Sequence, residues 1–536
     1  MTGDGPGRHG ATRSSVTTSL PAVWQPAVGT GKEPRPAGRR ADPQAAALRV
    51  WPLAIILAVE SALALRLTWS NTAFNDEGLY LWAGHLEWAH LLHGDPIPNF
   101  AYYFSGDPLV YPPLGALADS FGGLAAARIL SLCFMLLATC LLWASASRLY
   151  GRTAATSAAA LWAILGPVQH TSSLATFDAM SICLMAVAAY SAVRAAGGRS
   201  SSSWAILSGC AIAAGNLAAY SSAIFDPVII ALAVAAIGSR TGFRLAWARA
   251  AEMVTCAVVG IVLATGGGAY LKGATLTVFN RTAATTPATE VIGESLAWTG
   301  AILVLACAAI VLSAVRAGRG ELPELIVLTL AAIVVPVEQA RLHTLTSLDK
   351  HVALGAWFGA VAAGYAMAKV LTFLRSGPVR VAGQATAAAA VLVLAVIGAE
   401  QATALYGWAN VTAFVSALRP LAEHSSGPML IEDPAPARYY LGSQVPWQRW
   451  SSTASIMMPI GSHHHIAGVS TSGKAGPYLR LIASGYFSVV ALDYHSGSLD
   501  WQLTAAMKYS HRYRLVSQVR YGKGRYVIWV ARVQGT

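Results

Sequence analysis

Charge is what this chain has least of: Asp, Glu, Lys and Arg make up 12% of its 536 residues, against 55% hydrophobic types. So little charge excludes an ordinary soluble protein, and the mean hydropathy of +0.50 agrees. Cysteine is sparse as well. Cys133, Cys140, Cys183, Cys210, Cys256 and Cys307 all lie within apolar runs, which excludes a disulfide framework in exposed segments and leaves them as small buried hydrophobes. Residues 1–49 lack an apolar core of signal-peptide length and are rich in Gly, Pro, Ser, Thr and Arg, so they are expected to be a disordered cytoplasmic tail, not a leader. The net charge of +12 is parcelled among short loops and the termini, which argues against nucleic acid as a partner.

What is present is a series of apolar runs. At about 20 residues per membrane helix, about eleven spans fall near 50–67, 125–147, 153–170, 175–194, 204–222, 226–238, 250–271, 296–315, 321–338, 352–374 and 382–402. Alternate loops are basic and free of carboxylates: Arg148 and Arg152; Arg194 and Arg199; Arg240, Arg244 and Arg249; Arg316 and Arg319; Arg375 and Arg380. By the bias of short basic loops toward the cytoplasm, the amino terminus lies inside and the carboxyl terminus outside a plasma membrane. The fold class expected is a polytopic α-helical membrane protein, residues 50–402, followed by a small extracytoplasmic α/β domain, residues 403–536. In that last segment Met429 to Ile431, Ser488 to Leu492 and Tyr526 to Val530 have strand character, and 475–485 and 498–509 helix character.

A second absence is local. Residues 68–124 hold Asp76, Glu77, Glu87, Asp95, Asp107 and Asp119 but not one Lys or Arg, so this loop belongs on the outer side. Asn75-Asp76-Glu77 places adjacent carboxylates directly after the first span, where a base acting on a lipid-anchored substrate would stand. Residues 81–92 have the spacing of an interfacial helix, and Pro112-Pro113 are expected to bar helix and stiffen the return to the second span.

The Asp-Glu pair, the Pro112-Pro113-Leu114-Gly115 element, and the runs Gly123 to Ser131 and Arg148 to Ala155 resemble the GT-C glycosyltransferases of the protein mannosyltransferase and aminoarabinose transferase group. The resemblance is clearest over residues 50–195. It implies transfer of a sugar from a polyprenyl-phosphate carrier to a lipid, glycan or protein acceptor on the outer face, with the loop aspartate, Asp76, as catalytic carboxylate. Tyr111 and Ala116 depart from the HPPLGK pattern of protein O-mannosyltransferases.

The residue types suit that chemistry. A sugar phosphate has a leaving group that needs little protonation, so one carboxylate can serve as base on the acceptor while cations stabilise the departing phosphate. Asp76 is assigned as base and Glu77 as an orienting or acceptor-binding group, since adjacent side chains diverge. Asp178, at the outer end of the fourth expected span, would share the cavity with Asp76, and the two carboxylates could hold a divalent ion with a carrier phosphate. Lys272 and Arg281, and Arg341, His343, Lys350 and His351, are outer cations that break the charge bias, which points to a phosphate, with Lys350 and His351 the foremost ligands. Their alternative is pairing with Glu290, Glu294, Glu338 or Asp349. Tyr80, Tyr111 and His343 would line the substrate pocket. Glu60, mid-span, is expected to face the bundle interior, and His463-His464-His465 is a poor metal set, because three successive residues diverge. The rival function is a transporter or flippase of lipid-linked substrates, which should instead gather its polar residues at the midplane in matched halves.

Overall fold

The computed structural model describes residues 50–536 apart from 103, 198–200, 267, 280–282, 316–318, 374–376, 461–464, 471–473, 495–497, 523 and 533–536. The apolar runs fold as α1 (Trp51–Thr68), α2 (Asn75–His93), α3 (Tyr111–Tyr150), α4 (Arg152–Ala163), α5 (Gly166–Ser172), α6 (Phe177–Arg194), α7 (Ser201–Ala218), α8 (Asp226–Thr241), α9 (Phe243–Thr265), α10 (Gly268–Ala274), α11 (Ala288–Val315), α12 (Leu322–Arg341), α13 (Leu348–Phe373) and α14 (Gly377–Leu405). Among the described residues, nine helices are long and apolar enough to cross a membrane. The span expected at 153–170 is instead two short helices, α4 and α5, broken at Gly166-Pro167, where proline can open a new helix but not continue an old one. The span expected at 204–222 is α7, which is not among those nine.

Two corrections concern the acidic loop. Pro112 and Pro113 do not bar helix; they begin α3, because the first turn has no intrahelical partner for its N–H groups and proline lacks one. The helix they start reaches Tyr150, kinked at Gly122-Gly123, where Gly123 has φ +65, a conformation that suits glycine. Helix α2 is also no surface layer. Its Leu81, Ala83 and Gly84 are buried against α3, and a Cβ on Gly84 would lie 1.9 Å from the Pro112 carbonyl oxygen.

Alanine-rich helices pack closely, and the core runs through Ala155, Ala158, Ala159, Trp162, Trp357 and Phe358. Trp162 and Trp357 donate their indole N–H groups to the carbonyls of Ala353 and Ala138, satisfying polar atoms in the dry interior. Glu60 does face inward, where Thr139 donates a 2.7 Å hydrogen bond to it. Ile55, Val59, Leu392 and Val393 are exposed, as a hydrocarbon-facing surface requires.

After α14 come α15 (Thr412–Glu423), β1 (Met429–Ile431), α16 (Ala435–Leu441), β2 (Trp450–Ser451), β3 (Ser455–Ile460), β4 (His465–Ser470), α17 (Ala475–Ser484), β5 (Val489–Asp493), α18 (Ser498–Ser510), β6 (Tyr513–Tyr521) and β7 (Gly524–Ala531). The sheet order is β2-β1-β5-β7-β6, with β1 parallel to β2 and β5, and β7 antiparallel to β5 and β6; β3 and β4 form a separate hairpin. This α/β unit sits on the end of the bundle where α1 meets α2. Tyr440 Oη accepts the Ala73 N–H at 2.9 Å, Trp408 donates to the Thr72 carbonyl at 3.0 Å, and Trp447 donates to that of Pro96 at 2.7 Å. Because α3 and α6 both run away from that end, Arg148, Arg152 and Arg194 lie at the opposite one.

Candidate active site

Helix α2 begins one residue before Asp76. The Glu77 carboxylate reaches back to accept the Phe74 N–H at 2.8 Å, one half of an N-terminal capping arrangement, and the first-turn acids suit the positive end of the helix dipole. Glu77 is wholly buried and points away from solvent, into the guanidinium of Arg128 at 2.8 and 2.7 Å, and also accepts the Ala175 N–H at 2.8 Å. Arg128 spends its remaining donors on the carbonyls of Thr68, Asn71 and Thr72, so all five are used. This buried knot fixes the α1–α2 turn, and with it the direction of Asp76.

Asp76 faces the other way, onto a cavity of about 750 Å³ lined also by Tyr80, Asp178, Ser221, Gln339 and Lys350. Lys350, from the first turn of α13, lies with its ammonium 2.6 Å from Asp76 Oδ2 and 3.4 Å from Asp178 Oδ2, and its side chain is 5% exposed. Asp178 is held in turn by the Thr176 hydroxyl at 2.8 Å. Beside this trio, His170 Nδ1 lies 2.6 Å from Asp349 Oδ2, on the residue preceding Lys350. Two carboxylates against one ammonium leave the trio with one net negative charge. A proton taken up by Asp76 would remove it. The Tyr80 hydroxyl, buried and beside Asp76, is held protonated well above the ordinary phenol range.

The sequence-derived candidates fall into three groups. Asp76, Tyr80, Asp178, Arg341, Lys350 and His351 line the cavity together. Tyr111 is buried nearby but does not reach the lining, and Glu77 is turned away by Arg128. His343 is drawn off by a left-handed backbone (φ 50) and a 3.0 Å contact to the Thr286 carbonyl, while Lys272 is exposed on α10, outside the lining. Arg281, His463 and His464 lie outside the described residues. Arg341 pairs with Glu338, with Nε 2.8 Å from Oε2, as its alternative reading expects. Lys350 pairs across the fold rather than with Glu338.

Sequence reasoning did not find Gln339, Ser221 or the Arg128–Glu77 knot. Gln339 and Ser221 carry no signal beyond polar residue types near helix ends, and Arg128, inside α3, has no spacing that ties it to Glu77. As for a metal, among the described residues no three His, Cys, Asp or Glu side chains gather as a site, and the Lys350 ammonium stands between Asp76 and Asp178 where a cation would. The side chains as arranged therefore do not fit a divalent ion between those two carboxylates.

Residues 116–266 match the family described as dolichyl-phosphate-mannose-protein mannosyltransferase. No curated protein sequence matches the chain. Among solved structures, it is similar to the archaeal oligosaccharyltransferase AglB from Archaeoglobus fulgidus in complex with an inhibitory peptide and a dolichol-phosphate (TM-score 0.58, 12% identity, 89% of this chain and 74% of that one). It is similar as well to ArnT from Cupriavidus metallidurans bound to undecaprenyl phosphate (0.55, 15%, 91% and 99%), and to the arabinofuranosyltransferase AftD from Mycobacteria (0.53, 15%, 90% and 41%). The chain has the GT-C fold, in agreement with the resemblance carried by its Asp-Glu pair and proline element.

Proposed function

We propose that this chain is a membrane glycosyltransferase that moves a sugar from a polyprenyl-phosphate carrier to an acceptor hydroxyl of a lipid, glycan or protein at the outer face of the plasma membrane, with Asp76 as the base. One observation carries the reading: on a GT-C fold, a buried lysine shared with Asp178 aims the partly exposed Asp76 into a cavity large enough for a sugar. AglB and ArnT are described with polyprenyl phosphates bound, which supports such a donor.

The step begins with the acceptor O–H proton passing to Asp76. The oxygen bonds to the anomeric carbon, the bond from that carbon to the carrier phosphate breaks, and its electron pair leaves with the phosphate. No acid is needed, because the leaving oxygen belongs to a phosphate. Proton uptake neutralises the net charge of the Asp76–Lys350–Asp178 trio, so the base is at its most anionic before the step and is relaxed after it. Lys350 is committed to the two carboxylates, which makes it a positioning residue for Asp76. Among the described residues, Arg341, at the cavity wall and in an exposed pair with Glu338, is a cation that can turn to the phosphate. The expectation of a phosphate held by Lys350 and His351 is thus revised toward Arg341.

Incubating the detergent-purified protein with undecaprenyl-phosphate-linked hexoses and pentoses and a membrane-extract acceptor tests the reading. Acceptor-dependent release of undecaprenyl phosphate is the expected outcome. No release from any donor, in protein that binds the carrier, would reject it.

A further inference from the structure

One wall of the cavity is built from three elements that share one chain of hydrogen bonds. Gln339, in the last turn of α12, places its Nε2 2.9 Å from His351 Nδ1 on α13. His351 Nε2 lies 3.4 Å from the hydroxyl of Ser221, in the 3-10 turn Tyr220–Phe225. An amide N–H can only donate, so Nδ1 accepts, the ring proton sits on Nε2, and Ser221 Oγ is the acceptor of that N–H. The Ser221 hydroxyl hydrogen is left to donate elsewhere. At the other end, Gln339 is 4% exposed and its Oε1 has no hydrogen-bond partner, although the residue lines the cavity. A buried amide oxygen left without a partner costs free energy unless a ligand supplies a donor.

The turn that carries Ser221 is held rigidly. Ser222 donates to Asn216 Oδ1 at 2.9 Å, Asn216 donates to Asp226 Oδ2 at 2.7 Å, and the Tyr220 N–H donates to the Ser105 carbonyl at 2.7 Å. The wall therefore holds one unpartnered acceptor, Gln339 Oε1, closed off as the side chains stand, and one hydroxyl with a donor to spare, and the side chains of Gln339, His351 and Ser221 carry no net charge. A phosphate would find a single donor there. A polyhydroxylated ring, whose hydroxyls each donate and accept, matches both groups.

We infer that Gln339, His351 and Ser221 form the subsite that reads the hydroxyls of the transferred sugar and so selects which sugar the cavity takes, with His351 acting through its neighbours as a positioning residue. This rests on the cavity being the donor site.

The test is binding rather than turnover, so that it stands apart from the transfer reaction. The affinity of the purified full chain is measured for undecaprenyl phosphate and for the same carrier linked to mannose or to arabinofuranose, in wild type, Ser221→Ala and Gln339→Leu. Wild type should bind one sugar-loaded carrier more tightly than the bare one. Each substitution should cut that margin, Gln339→Leu by about tenfold or more, with bare-carrier affinity unchanged. If Gln339→Leu fails to fold, Ser221→Ala, at a half-buried position, still decides the matter. A wild type without a margin, a margin untouched by both substitutions, or an equal loss for the bare carrier would overturn the inference. A margin set by these residues in a protein that transfers nothing would sink only the transferase reading.

Discussion

The partner that orients Asp76 stands 274 residues away in the chain, and no local pattern announces it. What residues 75–77 do show is the division of labour between adjacent carboxylates: successive positions on a helix point roughly 100° apart, so one can be entombed with Arg128 while the other meets the cavity. Sequence reading put Asp76 and Asp178 in one cavity and picked out Lys350 as a cation in an unusual place. It did not join Lys350 to the two carboxylates, because an ion pair formed by tertiary packing leaves no spacing signature. Their roles separate by experiment. Lys350→Ala leaves the buried Asp178 and the partly exposed Asp76 without their shared cation, and loss of one member of a buried pair such as Lys350–Asp178 costs about 3–5 kcal/mol, so the melting temperature and the single-turnover rate should both fall. Arg341→Ala removes only a solvent-exposed pair, of the kind that adds little to stability; it should leave stability unchanged and weaken donor affinity. Equal melting temperatures for Lys350→Ala and wild type would show that the pair is not structural.

Among the elements, amphipathic or apolar runs of full length were legible and breaks within them were not. The strands at 429–431, 489–493 and 524–531 and the helices at 475–484 and 498–510 lie where composition put them. By contrast β2, β3, β4, β6 and α16 escaped notice, being short or half-exposed, and so did α15, although its buried Phe414, Val415, Leu418 and Ala422 recur at helical spacing. Proline misled at 112–113 because its effect depends on whether a helix is beginning or continuing there, which sequence alone does not state. The packing of α2 on α3 gives a direct check. Gly84→Ala would thrust a methyl carbon to 1.9 Å from the Pro112 carbonyl oxygen, against backbone that cannot swing aside. This variant should fail to yield folded protein, as judged by gel filtration in detergent, whereas Gly94→Ala, with nothing within 4 Å but φ +75, should fold with a small loss of stability. In the α/β unit, burial pushes the Asp433 carboxyl up to about 6, with Arg438 and the Ala435 N–H opposing. The folded protein thus prefers it protonated relative to the unfolded chain. That stabilisation is full below about pH 4 and lost as pH rises through 6. Asp433→Asn should therefore gain in melting temperature over wild type above pH 6 and not below pH 4.

At the scale of the whole molecule, the cavity and the α/β unit share one end of the bundle and the basic turns occupy the other, so that one orientation in the membrane decides where the chemistry happens. In whole cells, and in a background without native cysteines, His93→Cys should react with an impermeant thiol reagent and Thr241→Cys should not; the reverse pattern would put the cavity in the cytoplasm. The fold then supplies a dry bundle under a wet cavity, with the carboxylate at the boundary where a carrier phosphate would rest. The most direct measurement is the single-turnover rate of carrier release at saturating donor for Asp76→Asn beside wild type. Asparagine keeps the shape and removes the base, and a positioned general base contributes about 10²–10⁴ in rate. A fall of that size with donor affinity retained is the expected result; a near-normal rate would contradict it and remove Asp76 from the mechanism.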